Sequence, residues 1–395
     1  MGCARFGKKN CSDAELEPEL TMPFLINTSN LHVGGGVQVA ASFLSEISRT
    51  GQPVPGLAIA LSTQVRGNLG PEVQLARVSD TVVDLDVRGF GARNARARRF
   101  MDGFDTVFTV FGPLYRWRPR FKSIVGFAQP WIIYPGNECY AAMPLLRRLR
   151  TRLKFRVQAQ FFKRADVLVV ELDHVKAGLV RELGIDPSRI HVVRNCVSGI
   201  YRDSRQWQPV AIPPAPGLRL GFVGRNYPHK NTAIFPRIVA ALRERHGIDA
   251  VVYVTFTPAE WQACSAEFRA ACINVGPLTP AQCPGFYGAL DAVVFPSLLE
   301  CFSATPLEAM AMEKPLFASD RPFNRDICSG HAVYFDPHSA DDAADAIARM
   351  PGDGGPDPAA LRAARDHAFS FSSPAERAQK YLALLAQGDD HPSDK

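Results

Sequence analysis

The sequence has no run of about 18 or more apolar residues, and its first twenty residues lack the apolar stretch of a secretory signal. It therefore predicts neither a membrane-spanning nor a secreted protein. Nine cysteines are scattered without any Cys-x-x-Cys pair or Cys/His spacing typical of zinc sites. This scatter favours reduced thiols in a cytoplasm over disulfide bridges or a zinc site.

Two alternatives rest on charge. The chain has 45 basic and 39 acidic residues, a net charge of +6 that nucleic-acid-binding proteins also show. No recognised module with interleaved aromatic and basic residues accompanies it, so no nucleic-acid partner is predicted. Asp84 and Asp86 form an Asp-x-Asp pair that could bind a metal, and in a strand both would lie on one face. Such a pair is common by chance, and no metal site is predicted.

Apolar, β-branched runs alternate with helical patterns along most of the chain. This alternation is typical of parallel sheets covered by helices on both faces, an α/β fold. In the first half, strands are predicted at 23–28, 57–61, 81–86, 105–111, 123–128, 166–170 and 190–193. In the second half, they are predicted at 218–224, 249–256, 273–277, 291–296, 315–319 and 332–335.

The alternation is interrupted once, by a proline-rich stretch at 203–217 that has no periodicity. We therefore predict two doubly wound domains joined by a linker. The predicted boundaries are a disordered leader at 1–21, an N-terminal domain at 22–205, a linker at 206–217, a C-terminal domain at 218–370 and a terminal helix at 371–388.

Loops that follow the strands of such sheets are candidate ligand sites, because helix N-termini present free amides there. Gly35 and Gly36 follow the first strand and open a helix. They match neither a dinucleotide fingerprint nor a P-loop. Arg225 and Lys230 follow the first strand of the second domain, and two cations on such a loop suit a diphosphate, although a solvated pair is equally compatible.

Two glutamates flank a helix start after the predicted strand 291–296. Thr305, Pro306 and Glu308 also spell an N-cap, a proline at the first helical position and a capping-box glutamate, so Glu308 has a purely structural interpretation. Glu300 has none, because it lies in a loop beside apolar residues and needs hydroxyl or amide donors. Sugar hydroxyls would serve.

These segments, VGGG at 33–36, GRNYPHK at 224–230 and FPSLLECFSATPLEAMAMEKPLFAS at 295–319, resemble the family-four retaining glycosyltransferases, also called glycosyl transferases group 1. The resemblance implies the GT-B fold, in which two Rossmann-like domains face each other across a cleft. It implies an acceptor-side N-terminal domain, a nucleotide-sugar-binding C-terminal domain, and a final helix that crosses back to the first domain.

The resemblance also implies roles for matching residues. Arg225 and Lys230 would hold the diphosphate of the donor, Glu300 the hydroxyls of its sugar, and Glu308 its ribose. The implied catalytic residues are Glu300, Arg225 and Lys230. The donor site would be completed by the helix start and the glycine loop, which contribute Phe302, Ser303, Ala304, Gly35 and Gly36. The implied co-substrate is a UDP- or GDP-linked hexose, with no metal or other cofactor.

The sequence departs from the family at two places. Where many members have a histidine after a strand of the first domain, this chain has Ala128 and Gln129, which puts a histidine-assisted mechanism in doubt. Cys301 and Ser303 replace the glycines that often flank Phe302, and we expect less space around the donor sugar. A relative that binds donor without turning it over is an alternative, although the four polar positions of the donor site are filled.

A basic stretch at 139–165 contains eight Lys or Arg residues and no acid in 27 residues. Leucines recur within it at near-helical spacing, which predicts a basic amphipathic helix on an anionic membrane surface. The alternative is a solvated helix whose leucines fill the core. The predicted function is transfer of a hexose to a lipid-linked or polysaccharide acceptor in cell-surface glycan synthesis, by a cytoplasmic protein held at the membrane through residues 147–164.

Overall fold

The computed structural model describes residues 23–89, 94–350 and 356–386, in which all thirteen predicted strands are present. The leader expected at 1–21 lies outside these ranges. The first seven strands are β1 Phe24–Thr28, β2 Leu57–Leu61, β3 Thr81–Asp84, β4 Thr106–Thr109, β5 Lys122–Gly126, β6 Val167–Val170 and β7 Ile190–Val192. The other six are β8 Leu218–Phe222, β9 Ala250–Val254, β10 Cys272–Asn274, β11 Ala292–Phe295, β12 Leu316–Ser319 and β13 Val333–Phe335.

Helices cover both sheets. Those before the linker are α1 Gly35–Thr50, α2 Thr63–Arg66, α3 Ala95–Met101, α4 Pro130–Ile133, α5 Leu145–Phe162 and α6 Asp173–Leu183. Those after it are α7 Phe235–His246, α8 Pro258–Gln262, α9 Ala266–Ala271, α10 Cys283–Gly288, α11 Ala304–Ala311, α12 Pro322–Cys328, α13 Ala340–Ala348, α14 Pro358–Ser370 and α15 Pro374–Ala386. None of these helices is long and apolar enough to cross a membrane.

The strands form two parallel sheets, with the orders β3-β2-β1-β4-β5-β6-β7 and β10-β9-β8-β11-β12-β13. Their central strands are buried along nearly their whole length, as in β2 and β11, because helices cover both faces. Strand order reverses between β1 and β4 in the first sheet and between β8 and β11 in the second. Ligands bind at such switch points. The predicted α/β class with two doubly wound domains is confirmed.

The linker and the last helix connect the two domains. From Gln208 to Gly217 the chain has no regular structure and lies on the second domain, where Gln208 N–H donates to Ala281 O (2.8 Å) and Tyr253 O–H to Pro213 O (2.7 Å). Helix α15 then packs on the first domain against α1 and β4.

Aromatic packing fixes α15 in that position. The ring of Tyr381 lies 5.0 Å from each of the rings of Phe43 and Phe108, and Ala378 and Leu385 are buried in the same cluster. Helix α15 is therefore part of the core of the N-terminal domain.

Candidate functional site

The four loops at the two switch points meet around a cavity of about 610 Å³ between the domains. Lys230 and Glu300 line it from the loops after β8 and β11, and Phe111 from the segment after β4. The cavity is also lined by the predicted residues Gly35, Gly36, Phe302, Ser303, Ala304 and Glu308. Apart from Arg225, the structure brings the predicted site residues together.

Glu300 and Lys230 form an ion pair inside this cavity. Lys230 Nζ lies 2.6 Å from Glu300 Oε1, and Ser297 O–H donates to the same oxygen at 2.6 Å. Glu300 is only 8% exposed, so its charge needs these partners. The loops that carry the pair are also joined by the main chain, where Leu298 N–H donates to His229 O at 2.7 Å. The pair is therefore held in position by its surroundings.

Glu308 lies half-buried in the wall of the same cavity, and it is not a capping residue. Its Oε2 accepts a hydrogen bond from Tyr287 O–H (2.9 Å), and burial raises its pKa. The buried hydroxyl of Tyr201 makes no hydrogen bond of regular geometry, but it lies close enough to Glu308 to oppose this rise in the Glu308 pKa.

The capping-box interpretation of Glu308 was wrong because α11 begins at Ala304, with Ser303 as N-cap. The Thr305 side chain does not cap the helix, since its hydroxyl donates to Val223 O (3.1 Å) on the loop after β8. The N-terminal end of α11 lies at the cavity. The N–H groups of its first turn have no acceptor within the helix. With the helix dipole, they make this end suited to an anion.

Arg225 does not line the cavity. Its Nε lies 2.8 and 2.9 Å from the two carboxylate oxygens of Glu260, which also caps α8 through Thr257. Although burial opposes it, hydrogen bonds from Thr257 and then Arg225 lower the pKa of Glu260. Arg225 is thus part of a charged pair beside the predicted phosphate site, on the same loop as Lys230.

The glycine loop approaches the cavity from the N-terminal domain. Gly34 has φ of 78°, a conformation that favours glycine, and it precedes α1. A Cβ on Gly36 would lie 3.3 Å from the Phe111 ring and 3.4 Å from Leu31. The loop is therefore close-packed against the wall of the cavity, and its backbone faces the ligand space.

Sequence reasoning missed a buried polar network on the N-terminal side of the cavity. Glu171, directly after β6, accepts a hydrogen bond from Asn195 Nδ2 (2.7 Å), and Asn195 accepts one from Arg377. Arg377, on α15, also donates to Ser42 Oγ (2.8 Å). Burial raises the pKa of Glu171 to about 7, although Asn195 and Arg377 oppose this. The sequence signal that could have revealed this network was the position of Glu171 directly after a predicted strand.

The Asp-x-Asp pair is engaged elsewhere. Asp84 pairs with Arg66, and Asp86 accepts hydrogen bonds from Thr63 Oγ1 (2.6 Å) and Thr63 N–H (3.1 Å). No three His, Cys, Asp or Glu residues of the described chain are grouped as metal ligands.

Comparison with known proteins locates the strongest likeness in the second domain. Residues 217–353, about a third of the chain, match the family model described as Glycosyl transferases group 1. Over these residues the C-terminal domain is similar to the group 1 glycosyltransferases. A D-inositol 3-phosphate glycosyltransferase of Corynebacterium efficiens is 27% identical over 178 residues, 41% of this chain and 42% of that protein. The alignment thus spans about two-fifths of that relative.

Solved structures show the same fold over nearly the whole chain. HepE of Anabaena, in complex with UDP and glucose, has a TM-score of 0.66 at 14% identity, with coverage of 92% of this chain and 99% of its own. A Rickettsia africae glycosyltransferase has a TM-score of 0.67 at 16% identity, covering 94% and 100%. The chain therefore has the GT-B fold over nearly its whole length, and the resemblance found in the sequence is confirmed.

Proposed function

We propose that this protein is a retaining glycosyltransferase that moves a hexose from a UDP- or GDP-sugar to a lipid-linked or polysaccharide acceptor. The observation that carries the proposal is the Lys230–Glu300 pair at the start of α11, inside a cavity formed by both domains. HepE, which has the same fold, binds UDP and glucose. Cell-surface glycan synthesis is the process that we assign to the reaction.

Each part of the donor has a matching group in the cavity. The diphosphate lies against the N-terminal end of α11 and Lys230, because both favour anions. Glu300 accepts hydrogen bonds from hydroxyls of the hexose. Glu308 and the Tyr201 hydroxyl lie together on the nucleotide side, where they bind the ribose.

The chemistry follows from charge. As the bond between the hexose and the diphosphate breaks, negative charge grows on the leaving oxygen, and Lys230 and the α11 amides stabilise it. Arg225 adds positive potential from its position beside Glu260. These groups are sufficient for departure of the diphosphate, and we propose that the reaction requires no metal ion.

Stereochemistry of the product tests this proposal. The protein is incubated with UDP- and GDP-hexoses and with glycolipid or polysaccharide acceptors, and the product is examined by NMR. We expect the anomeric configuration of the donor to be retained and the rate to be unchanged by EDTA. Inversion at the anomeric carbon, or loss of activity with EDTA, would overturn the proposed mechanism.

We further propose that α5 holds the protein on an anionic membrane, on the inner face where a cytoplasmic enzyme would meet lipid-linked acceptors. Leu145, Leu146, Leu149 and Leu153 are 54–70% exposed, so the alternative in which these leucines fill the core is wrong. At 3.6 residues per turn they lie roughly opposite the buried side of α5. The basic residues of the stretch are Arg147, Arg148, Arg150, Arg152, Lys154, Arg156, Lys163 and Arg164.

Apolar side chains and bases together on one helix suit a lipid interface, and each base near an anionic surface contributes about 1 kcal/mol. In flotation with anionic vesicles, we expect the wild type to rise at low salt and to be released at high salt. A variant in which Glu replaces Arg147, Arg148 and Arg150 together should not float. In the matched control variant, Glu replaces three exposed arginines of the second domain, Arg237, Arg243 and Arg349, and this variant should float. Equal behaviour of the two triple variants would contradict membrane binding by α5.

A further inference from the structure

A second cavity, of about 340 Å³, opens at the same edge of the N-terminal sheet. Asn27 of β1, Thr109 of β4 and Gln129 after β5 line it, so it lies at the carboxyl ends of those strands. Its size suits about one sugar ring.

Phe111 separates this cavity from the donor cavity. The ring of Phe111 lines the donor cavity, and its carbonyl oxygen accepts a hydrogen bond from Asn30 Nδ2 (2.7 Å), which lines the second cavity. The consecutive residues Ala128 and Gln129 likewise line the donor cavity and the second cavity. A molecule in the second cavity would therefore lie beside the donor.

Two amides in the second cavity have unmet hydrogen bonds. Gln158 is only 6% exposed and donates to Tyr115 Oη (2.8 Å), but its Oε1 has no partner among the described residues. Asn30 Oδ1 likewise has no hydrogen-bond partner among the described residues. The orientation of the Asn30 amide is fixed, because its Nδ2 donates to the carbonyl oxygen of Phe111. Buried polar atoms are normally paired, so both amides point to a ligand with hydroxyl groups.

The charge of the cavity has one sign. Arg88, Arg98 and Arg116 line it, and none of its described lining residues is acidic. Arg116 is paired with Asp102 at 2.6 Å, a residue outside the lining. Arg98 of α3 forms no ion pair with a described residue, and it lines the cavity together with Gln158. Arg88 also forms none, but it and the lining residue His32 lie near the Asp86 carboxylate outside the lining and help to lower its pKa. Three guanidinium groups with no carboxylate in the described lining favour an anion, and Arg98 is the one among them without a nearby acidic partner of its own in the ion pairs of the described residues.

Resting on the proposed function, we propose that this cavity binds the acceptor, and that the acceptor is a sugar or polyol carrying a phosphate or a carboxylate. Arg98 and Arg88 pair with the anionic group. Asn30 and Gln158 accept hydrogen bonds from the hydroxyls, and a further hydroxyl faces the donor sugar past Phe111.

Binding to the full chain tests this by calorimetry with glucose, glucose 6-phosphate, glucuronate and inorganic phosphate as probes. We expect both anionic sugars to bind at least about tenfold more tightly than glucose, and the tighter one identifies the anion. Arg98→Gln should weaken that binding about tenfold. Arg96→Gln is the matched control, because Arg96 lies exposed on the same helix and outside the cavity. Gln158→Leu should weaken glucose 6-phosphate but not inorganic phosphate.

UDP and GDP binding is measured on the same samples and should be unchanged in Arg98→Gln, which also shows that the variant is folded. Arg88→Gln, at an exposed position, provides a second test of the charge. Equal affinity for glucose and the anionic sugars, no binding of either anionic sugar, or equal losses in Arg96→Gln and Arg98→Gln would overturn the acceptor assignment. Absence of UDP and GDP binding would instead count against the donor site and the proposed function.

Discussion

The two domains present polar groups to the cleft in different ways. In the C-terminal domain the charges are already paired, as in Lys230 with Glu300 and Arg225 with Glu260. In the N-terminal domain, Arg88 and Arg98 lack ion-pair partners among the described residues, and the amide oxygen of Gln158 has no hydrogen bond. The family model also matches only 217–353. Under the proposed function, this difference means that the donor-binding charges are paired before the donor binds, whereas the proposed acceptor cavity keeps polar groups that a ligand would pair.

The largest effect is expected from Lys230→Ala. Removing one group that stabilises charge on the leaving diphosphate should lower kcat by about 100-fold or more, and donor affinity by less. Arg225→Ala should lower kcat by a smaller factor, because the Arg225 guanidinium is paired with Glu260. Steady-state kinetics on both variants measures this, with the exposed Arg237→Ala as control. Unchanged turnover in Lys230→Ala would remove Lys230 from the site.

Tyr381→Ala tests how far the first domain depends on the last helix. Tyr381 is 2% exposed and packs on Phe43 and Phe108, so its loss should lower the free energy of unfolding by about 3 kcal/mol. Lys380→Ala, on the exposed side of α15, should change it by less than about 0.5 kcal/mol. Urea unfolding gives both values. Equal stability of the two variants would show that α15 is not part of the N-terminal core.

Glu300 and Glu308 should differ in what they lose as glutamines. Glu300→Gln removes charge-assisted hydrogen bonds to the donor sugar and the pairing with Lys230, at a cost on the order of 2 kcal/mol in kcat/KM. Glu308→Gln keeps a partner for Tyr287 and should fold normally, with nucleotide affinity reduced about tenfold. Calorimetry with UDP and GDP measures the second effect. Unaltered affinity in Glu308→Gln would rule out its contact with the nucleotide.

Glu171 gives the smallest effect, a difference in pH dependence. Its pKa is raised from 4.5 to about 7 by burial, so between these values the folded protein keeps a proton that the unfolded chain releases. The free energy of unfolding should therefore fall as pH rises through this range. The variant Glu171→Gln has no carboxyl group to titrate at this position, so it should not lose this stability. Relative to the wild type, its melting temperature should therefore rise from about pH 5 to about pH 8. Glu244→Gln, on an exposed surface, should follow the wild type; parallel curves for all three proteins would contradict the raised pKa.

The fold and the C-terminal-domain side of the site were predictable from the sequence, because the signals for both are local. Apolar runs marked every strand, and the loops after β8 and β11 carried Lys230, Glu300 and Glu308 within short segments. The start of α11 was misplaced because the Thr305 hydroxyl bonds to Val223, which is distant in sequence.

Contacts between distant segments were not predictable. The guanidinium of Arg225 is taken by Glu260, 35 residues away, and Asn195 joins Glu171 to a residue of the last helix. The spacing of the leucines in α5 is compatible with burial in the core and with exposure on the surface. Only the packing of the folded protein distinguishes these two arrangements. Acceptor-side residues come from several separated loops, which leaves no compact motif to recognise.

Nucleotide-induced stabilisation is the most direct test of the central claim, that the cavity between the domains binds a nucleotide-sugar. The melting temperature of the wild type is measured with UDP-, GDP-, ADP- and dTDP-hexoses, beside Lys230→Ala. A donor at about 100 times its dissociation constant should stabilise the wild type by about 2.7 kcal/mol. We predict this for a UDP- or GDP-hexose, with a smaller shift in Lys230→Ala. No shift with any of the four donors would contradict the account.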